Sequence, residues 1–188
     1  MIRNKADLMT YLHADKSRYI YSSRPLWFRL FVTSDEEAKA ILFLKVLRHL
    51  EYHINISGNP TGGIYGLFLW FVYRRLRSRY KIYIEPNTVG PGLRIYHFAG
   101  GIYLNIERMG AHCSVSTGVV CGNKNDDNQL RPTIGNNVQL ATGAKVIGKV
   151  TVGDNSFVAP NSVVVKDVES NAVVSGVPAR LIKFRNAE

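Results

Sequence analysis

Histidine is the residue whose chemistry stands out in the second half of the chain. Of the five histidines, only His97 and His112 lie beyond residue 81. An imidazole can accept a proton from a hydroxyl near neutral pH, which makes it the usual general base. His97 lies in an irregular stretch, whereas His112 falls at an outward position of a regular repeat. We therefore expect His97 to be the stronger candidate for a catalytic base, with an ordinary surface histidine as the alternative.

The two cysteines, Cys113 and Cys121, do not suggest a metal site. Each occupies a repeat position that should face the interior, so we expect them to pack as small buried hydrophobic residues. A zinc site of the kind used for hydration chemistry needs three nitrogen ligands. The half that contains His97 and His112 offers only those two histidines, 15 residues apart. We expect no metal.

A six-residue repeat dominates the C-terminal half. Aliphatic residues recur every six positions, and a small or β-branched residue follows each of them four positions later. The leading positions are Ile134, Leu140, Val146, Val152, Val158 and Val164, and the following ones are Val138, Ala144, Val150, Ser156, Ser162 and Val168. An upstream block repeats the scheme at Val89, Ile95, Met109, Val115 and Cys121.

This period predicts the fold. A helix repeats every 3.6 residues and a strand every two, whereas six residues give one short strand and one tight corner. Three such sides close a triangular coil of about 18 residues, and stacked coils satisfy each other's backbone groups. We predict a mainly β protein, a left-handed parallel β-helix over residues 82–175, preceded by an α-helical region over 1–81 and followed by a C-terminal segment over 176–188.

The N-terminal region reads as helical and basic. Ser34 and Glu37 form a capping-box pattern that predicts a helix from Asp35 to about His53, and a second helix is expected over Ile64–Arg79. The apolar run within this second helix, Ile64 to Tyr73, has ten residues and is too short to span a bilayer.

The N-terminal region is also basic. Residues 1–85 contain 14 Lys and Arg against 7 Asp and Glu. A solvated basic face, contact with anionic lipid and nucleic-acid binding compete, in that order, since no nucleic-acid-binding motif accompanies the charge.

The composition is typical of a globular protein. The 188 residues carry 46% hydrophobic side chains and a formal net charge of +10. No secretory signal is evident, so a cytoplasmic protein is expected, with peripheral attachment at the inner face of the membrane as an open alternative. A sugar nucleotidyltransferase is disfavoured because residues 1–81 contain no Gly-rich nucleotide-binding motif.

Function is expected where the repeat is interrupted. One interruption lies between Ile95 and Met109 and contains His97. The other is the polar stretch 122–132, which must leave the coil as a loop.

Four segments carry a family resemblance. These are 84–97 (IEPNTVGPGLRIYH), the loop ending Arg131-Pro132, 140–148 (LATGAKVIG) and 176–180 (GVPAR). Together they resemble the serine acetyltransferase family over roughly residues 38–185. The resemblance implies an acetyl-CoA co-substrate, a homotrimer with active sites in clefts between neighbouring prisms, and His97 as the catalytic base.

The chain departs from the family at positions that recognise serine. Where serine-using members have an Asp before the base, this chain has Tyr96, and their Arg-His-Pro is replaced by a sequence ending in Arg131-Pro132. The Asp that orients the base aligns with Tyr83, so that role is either unfilled or taken over by Glu85. Tyr96 and Arg131 are therefore the candidate substrate-binding residues.

These departures resemble a related branch, the O-acetyltransferases of capsule and exopolysaccharide assembly. The expected activity is acetyl transfer to a sugar hydroxyl of a surface polysaccharide or its lipid-linked precursor. Serine O-acetylation for cysteine biosynthesis is the alternative, and a non-catalytic structural trimer is the second alternative. Trimers that pair into hexamers are a further option, and no nucleic-acid partner is expected.

The resemblance also suggests where acetyl-CoA binds. The pantetheine arm should run past small side chains on the coil edge, and backbone N–H groups should stabilise the oxyanion. Basic residues near the C-terminus are candidates for the CoA phosphates, or simply a solvated basic surface. The residues concerned are Ala141, Thr142, Ala159 and Pro160 for the arm, Gly122 and Asn123 for the oxyanion, and Arg180 and Lys183 for the phosphates.

Overall fold

The N-terminal region forms four helices. The computed structural model describes residues 1–19, 24–33, 35–125 and 128–185. The helices are α1 (Lys5–Ser17), α2 (Leu26–Phe31), α3 (Glu36–Ser57) and α4 (Gly63–Tyr80). Both predicted helices are confirmed, and α3 extends four residues beyond the expected end.

Asp35 caps α3. Its carboxylate accepts hydrogen bonds from the backbone N–H groups of Glu37 and Ala38, at 2.8 and 3.3 Å. Partial burial raises the pKa of Asp35, but hydrogen bonds from Arg29 and from the Ala38 N–H outweigh it, so the pKa is lowered. Ser34 lies outside the described residues. The start of α3 is thus held by an ionised cap.

From Ile82 onward the chain is built of short strands, which pair in parallel except for the last one. They are β1 (Ile82–Ile84), β2 (Arg94–Tyr96), β3 (Ile102–Leu104), β4 (Arg108–Met109), β5 (Ser114–Ser116), β6 (Val120–Gly122), β7 (Thr133–Ile134), β8 (Gln139–Leu140), β9 (Lys145–Ile147), β10 (Thr151–Val152), β11 (Phe157–Val158), β12 (Val163–Val164), β13 (Ala172–Gly176) and β14 (Ala179–Phe184).

The strands form the three faces of a prism. One face has the order β1-β3-β6-β9-β12, the second β10-β7-β4 and the third β14-β13-β11-β8-β5-β2. In the regular part, paired residues lie 18 positions apart, as in Leu140 with Val158 and Val146 with Val164. The polar loop stretches one coil, so that Val115 pairs with Leu140, 25 positions later.

The repeat positions form the core, as predicted. The leading aliphatics from Val89 to Val164 and the small residues that follow them are all buried. A left-handed backbone conformation recurs at one corner, where His112, Asn137, Asn155 and Asn171 follow each other from coil to coil. Asn155 accepts a hydrogen bond from Asn137 and donates one to Asn171, both at 3.1 Å. His112 therefore occupies a structural corner position.

The last strand reverses direction. β13 and β14 pair antiparallel, with Ser175 opposite Arg180 and Val173 opposite Lys183. β13 ends at Gly176, one residue past the predicted boundary. Within the C-terminal segment, β14 is therefore the outer strand of the third face.

The helices and the first coil share one hydrophobic core. Buried residues of α3 and α4, including Phe43, Leu47 and Tyr73, pack continuously with Ile82 and Ile84. The boundary between helical region and prism is sharp in sequence, since α4 ends at Tyr80. The two regions nevertheless bury their apolar surfaces against each other.

A buried ionic cluster joins the helices to the first coil. Arg48 of α3 is fully buried and pairs with Asp15 of α1 at 2.8 Å and with Glu51 at 3.0 Å. Its remaining N–H groups donate to the carbonyl oxygens of Val89 and Gly90, at 2.9 and 2.7 Å. Burial raises the pKa of Glu51, while the guanidinium opposes that effect.

Side chains of the N-terminal region make hydrogen bonds to the outer edge of this coil. Asp15 accepts from the amides of Gly92 and Leu93, and Glu51 accepts from Asn87. Two buried tyrosines serve the same edge. Tyr73 donates to the Ile84 carbonyl, and Tyr19 accepts from the Ile95 amide. Eight backbone groups of the first coil are thus bonded to side chains of the N-terminal region, counting the two carbonyls held by Arg48 and the Leu93 carbonyl, which accepts from Tyr19.

Across the described ranges, none of the helices has the length and hydropathy needed to cross a bilayer.

Candidate active site

His97 is displayed at the end of β2 by a strained turn. Its backbone has φ 46° and ψ 72°, a left-handed conformation that a non-glycine residue rarely adopts. The one-turn 3₁₀ helix Phe98–Gly100 follows and buries Phe98 against Tyr80, with ring centroids 5.6 Å apart. Burial of Phe98 thus leaves His97 on the surface, with 79% of its side chain exposed. Strain of this kind is typical of functional positions.

A carboxylate from α3 faces the imidazole. Glu36 Oε2 lies 3.2 Å from His97 Nδ1. Glu36 is the first residue of α3, and the Asp35 cap fixes the direction in which that helix starts. A carboxylate on Nδ1 favours the tautomer with its proton there, which leaves Nε2 free to accept a proton. Sequence reasoning missed Glu36, because nothing in the repeat pattern connects positions 61 residues apart.

A cleft of about 510 Å³ opens beside His97 along the third face of the prism. Among the predicted residues, His97, Tyr96 and Ala141 line it together. The lining residues that sequence reasoning missed are Arg18, Arg94, Ser114, Ser116, Gln139, Leu140 and Phe157. The cleft therefore places a candidate base next to hydroxyl, amide and cationic side chains.

Two arginines supply the positive charge of the cleft. The Arg94 guanidinium stacks over the Tyr96 ring at 4.5 Å and lies 3.6 Å from a Glu37 carboxylate oxygen. Arg18 donates to the Ser114 hydroxyl at 3.0 Å, and its buried Nε has no hydrogen-bond partner among the described residues. A small anionic group in the cleft would find cations on one wall.

Glu85 and Arg131 contact each other rather than His97. Arg131 bridges Glu85 at 3.1 Å and Glu107 at 3.2 Å. The structure therefore gives the carboxylate on His97 to Glu36, in place of the predicted Glu85. Arg131 is engaged by two carboxylates of its own chain, and it does not line the cleft around His97.

The residues predicted for the pantetheine arm form one continuous edge. Ala141 and Ala159 follow Leu140 and Val158, which pair between neighbouring coils. Ala141 N–H donates to the Val158 carbonyl at 3.0 Å. Thr142 and Pro160 come next and are exposed. Small side chains therefore line the corner where the third face ends, and this edge begins in the His97 cleft.

The other predicted acetyl-CoA residues lie apart from His97 in the single chain. Gly122 ends β6 on the first face, where an added Cβ would contact nothing within 4 Å, and Asn123 accepts a hydrogen bond from Asn105. Arg180 and Lys183 are exposed on β14. With roughly 4.8 Å between strands, β14 lies about 24 Å across the face from β2.

The cysteines are interior residues, as expected. Burial raises the pKa of Cys113 to about 11 and that of Cys121 to about 12. Within the part of the chain that the structure describes, no group of three or more His, Cys, Asp or Glu residues could hold a metal ion.

Comparison with known proteins identifies the class and then the family. The family model "Bacterial transferase hexapeptide (six repeats)" matches residues 131–166. The chain is 36% identical to the serine acetyltransferase of Bacillus subtilis over 157 residues, which is 80% of this chain and 72% of that protein. It is also 36% identical to the serine acetyltransferase of Synechococcus elongatus over 101 residues, 53% of this chain and 41% of that protein.

Solved structures agree on the fold. A crystal structure of Brucella abortus serine acetyltransferase in complex with coenzyme A superposes with a TM-score of 0.72 at 22% identity, covering 98% of this chain and 71% of that chain. The expected mainly β fold, a left-handed parallel β-helix with an N-terminal helical region, is confirmed.

The fold and repeats place the chain in the hexapeptide-repeat class. Within that class, the chain belongs to the serine acetyltransferase family. It spans less than half the length of the Synechococcus relative. The prediction that the chain is nearer to the O-acetyltransferases of capsule and exopolysaccharide assembly is not supported by these relatives.

Proposed function

We propose that the protein is an acetyl-CoA-dependent O-acetyltransferase with His97 as general base. The observation that carries the proposal is the exposed imidazole at the mouth of the cleft, with Nδ1 facing Glu36. The relatives described above are serine acetyltransferases, and one of the solved structures holds coenzyme A. No metal is invoked.

The proton follows a short route in the proposed reaction. Nε2 of His97 accepts the proton of the acceptor hydroxyl while that oxygen attacks the thioester carbonyl carbon. The C–S bond then breaks, and His97 returns the proton to the CoA sulfur. Glu36 acts as a positioning residue, because it holds the imidazole tautomer through Nδ1.

Acetyl-CoA is proposed to bind along the edge formed by Ala141, Thr142, Ala159 and Pro160. Its phosphates would reach the cations Arg180 and Lys183 on the outer strand, and the N–H groups near Gly122 and Asn123 would face the oxyanion. Because these groups lie on different parts of one prism, we propose that a homotrimer brings them together in a cleft between subunits. Pairing of trimers into hexamers is a further proposal.

L-serine is the acceptor that we propose first. A free amino acid carries a carboxylate, and Arg18 and Arg94 offer cations on the cleft wall. Its ammonium group would suit the carboxylate of Glu37, which lies beside Arg94. These charges come from the residue that follows α1, from α3 and from β2, so the chain need not use the family residues that it lacks.

A glycan hydroxyl is the second candidate acceptor, in a surface polysaccharide or a lipid-linked precursor. The observation in its favour is Tyr96, which lines the cleft where serine-using members have an Asp. An aromatic ring with polar neighbours is a usual surface for a sugar. Arg131 forms an ion pair with Glu85, so it is not free to bind the carboxylate of serine, and this also favours a glycan acceptor.

The test measures thiol release from acetyl-CoA with L-serine, N-acetylglucosamine and a nucleotide sugar as acceptors. We expect His97→Ala to lower kcat at least 100-fold with the best acceptor, since general-base catalysis contributes about 10²–10⁴-fold. His112→Asn is the matched control, because Asn occupies that corner in later coils. Full activity in His97→Ala, with the fold intact by circular dichroism, would overturn the mechanism.

The acceptor is tested separately with Arg94→Gln. If L-serine binds through this guanidinium, its KM should rise about tenfold or more while the KM for acetyl-CoA stays within twofold, as expected for the loss of a charged hydrogen bond of about 1.5–3 kcal/mol. Turnover with a sugar but not with L-serine would replace the first acceptor with the second. No thiol release with any acceptor, together with no binding of acetyl-CoA by calorimetry, would favour a non-catalytic trimer.

A further inference from the structure

Helix α4 carries an apolar stripe on its solvent side. Ile64, Leu67, Phe68 and Phe71 are exposed by 91%, 57%, 60% and 67%. Leu67, Phe68 and Phe71 lie three, four and seven residues after Ile64, which places all four side chains on one face of the helix. The opposite face, with Gly66, Leu69 and Tyr73, is buried against the rest of the molecule. Four large apolar side chains in one stripe exceed the single exposed residues that protein surfaces usually carry.

The same face becomes cationic towards the end of the helix. Arg75 and Arg79 continue the stripe at the helical period, and Arg74 and Lys81 are exposed beside it. With a rise of 1.5 Å per residue, Arg75 lies about 16 Å from Ile64 along the axis. One exposed face therefore presents apolar side chains over its first half and guanidinium groups over its second.

No acidic residue offsets this charge locally. The sequence contains no Asp or Glu between Glu51 and Glu85. Glu51 is buried with Arg48, and Glu85 pairs with Arg131. Among the ion pairs of the described residues, none involves Arg74, Arg75, Arg79 or Lys81. Arg75, Arg79 and Lys81 are therefore available to an external anion, whereas the Arg74 guanidinium lies over the Trp70 ring, 5.9 Å from its centroid.

The charge distribution distinguishes between two occupants of this face. A second copy of the chain would bring its own cations and no carboxylate from its α4, so the basic halves would repel each other. An anionic bilayer supplies both an apolar layer for the phenylalanines and phosphate groups for the arginines. We propose that this face of α4 docks the protein on an anionic membrane surface. The proposal goes beyond acetyl transfer and does not depend on it.

The test is co-sedimentation with vesicles of phosphatidylcholine, alone or with 30% phosphatidylglycerol. The wild-type protein should bind only the anionic vesicles, and less at 0.5 M than at 0.05 M salt, because salt screens exposed charges. The variant R75Q/R79Q should lower the partition coefficient about 30-fold, which corresponds to about 1 kcal/mol per basic residue. The variant F68S/F71S should lower it by at least as much.

The control variant K149Q/K166Q removes two exposed lysines from the prism and keeps α4 intact. It should change binding less than threefold. The proposal is overturned if wild-type protein ignores anionic vesicles, or if the control loses as much binding as R75Q/R79Q. Light scattering without vesicles measures the oligomer mass and tests whether this face instead binds a second copy of the chain. A lower oligomer mass for F68S/F71S than for wild type would assign the face to a second copy instead.

Discussion

The pairing of Glu36 with His97 leads to a prediction in which charge and hydrogen bonding are separated. Glu36→Gln keeps an oxygen that can accept from Nδ1–H but removes the charge, whereas Glu36→Ala removes both. The pair is 3.2 Å apart, and the side chains are 79% and 46% exposed. Exposed charge pairs contribute about 0.2–1 kcal/mol. We therefore expect Glu36→Gln to lower kcat by roughly 1.4- to 5-fold.

Glu36→Ala should cost more, because the imidazole also loses its fixed tautomer. A hydrogen bond contributes about 0.5–1.5 kcal/mol net. Added to the charge effect, this predicts a fall in kcat of roughly 3- to 70-fold with an unchanged KM for acetyl-CoA. The assay is thiol release at saturating substrates, with melting temperatures recorded for both variants. Glu169→Gln, an exposed carboxylate in the turn before β13, is the matched control.

The pattern across the two variants is decisive. Partial rescue by Gln relative to Ala supports positioning through Nδ1. If Glu36→Ala keeps kcat within twofold of wild type, Glu36 does not orient the base. If the alanine variant instead raises the KM for acetyl-CoA, the carboxylate acts on binding, and the assignment of Glu36 as a positioning residue is wrong.

Three further predictions concern the scaffold. Arg48→Met leaves two buried carboxylates without a counterion and should lower the free energy of unfolding by about 3–5 kcal/mol in urea titrations; a loss under 1 kcal/mol would contradict the role of the cluster. Gly135→Ala places a Cβ 2.8 Å from the Asp154 backbone nitrogen, so it should cost about 1–3 kcal/mol, seen as a lower melting temperature; an unchanged value would argue against this coil spacing. Cys113 and Cys121, with pKa values near 11 and 12, should resist a thiol reagent at pH 8 and react after denaturation; rapid labelling of native protein would place a thiol at the surface.

The sequence was sufficient to predict the prism but not the charges around His97. A strict period specifies which residues face inward, because each coil repeats the same geometry, and Ile134 to Val164 are buried as that period requires. The residues around His97 are not specified by this period. Glu36 reaches His97 only because the helical region packs on the first coil, and no local pattern encodes that contact.

The N-terminal helices illustrate a second limit. The run from Ile64 to Tyr73 predicts a helix correctly, but it is apolar on all sides, so the sequence does not indicate which face is buried. Packing against α3 decides the matter. At Gly66, for example, an added Cβ would lie 2.2 Å from the His53 ring, which shows how closely the two helices approach. The phenylalanines on the other side are left at the surface.

The side chains of the N-terminal region that bond to the outer edge of the first coil have a consequence for assembly. A parallel β-helix is a template that the next coil can extend, and an uncovered end invites another chain to add to it. Arg48, Asp15, Glu51, Tyr19 and Tyr73 occupy the donors and acceptors that such an addition would need. The N-terminal region thus prevents further chains from adding to this end of the β-helix. Substitutions that remove these hydrogen bonds should produce filaments before they produce an unfolded chain.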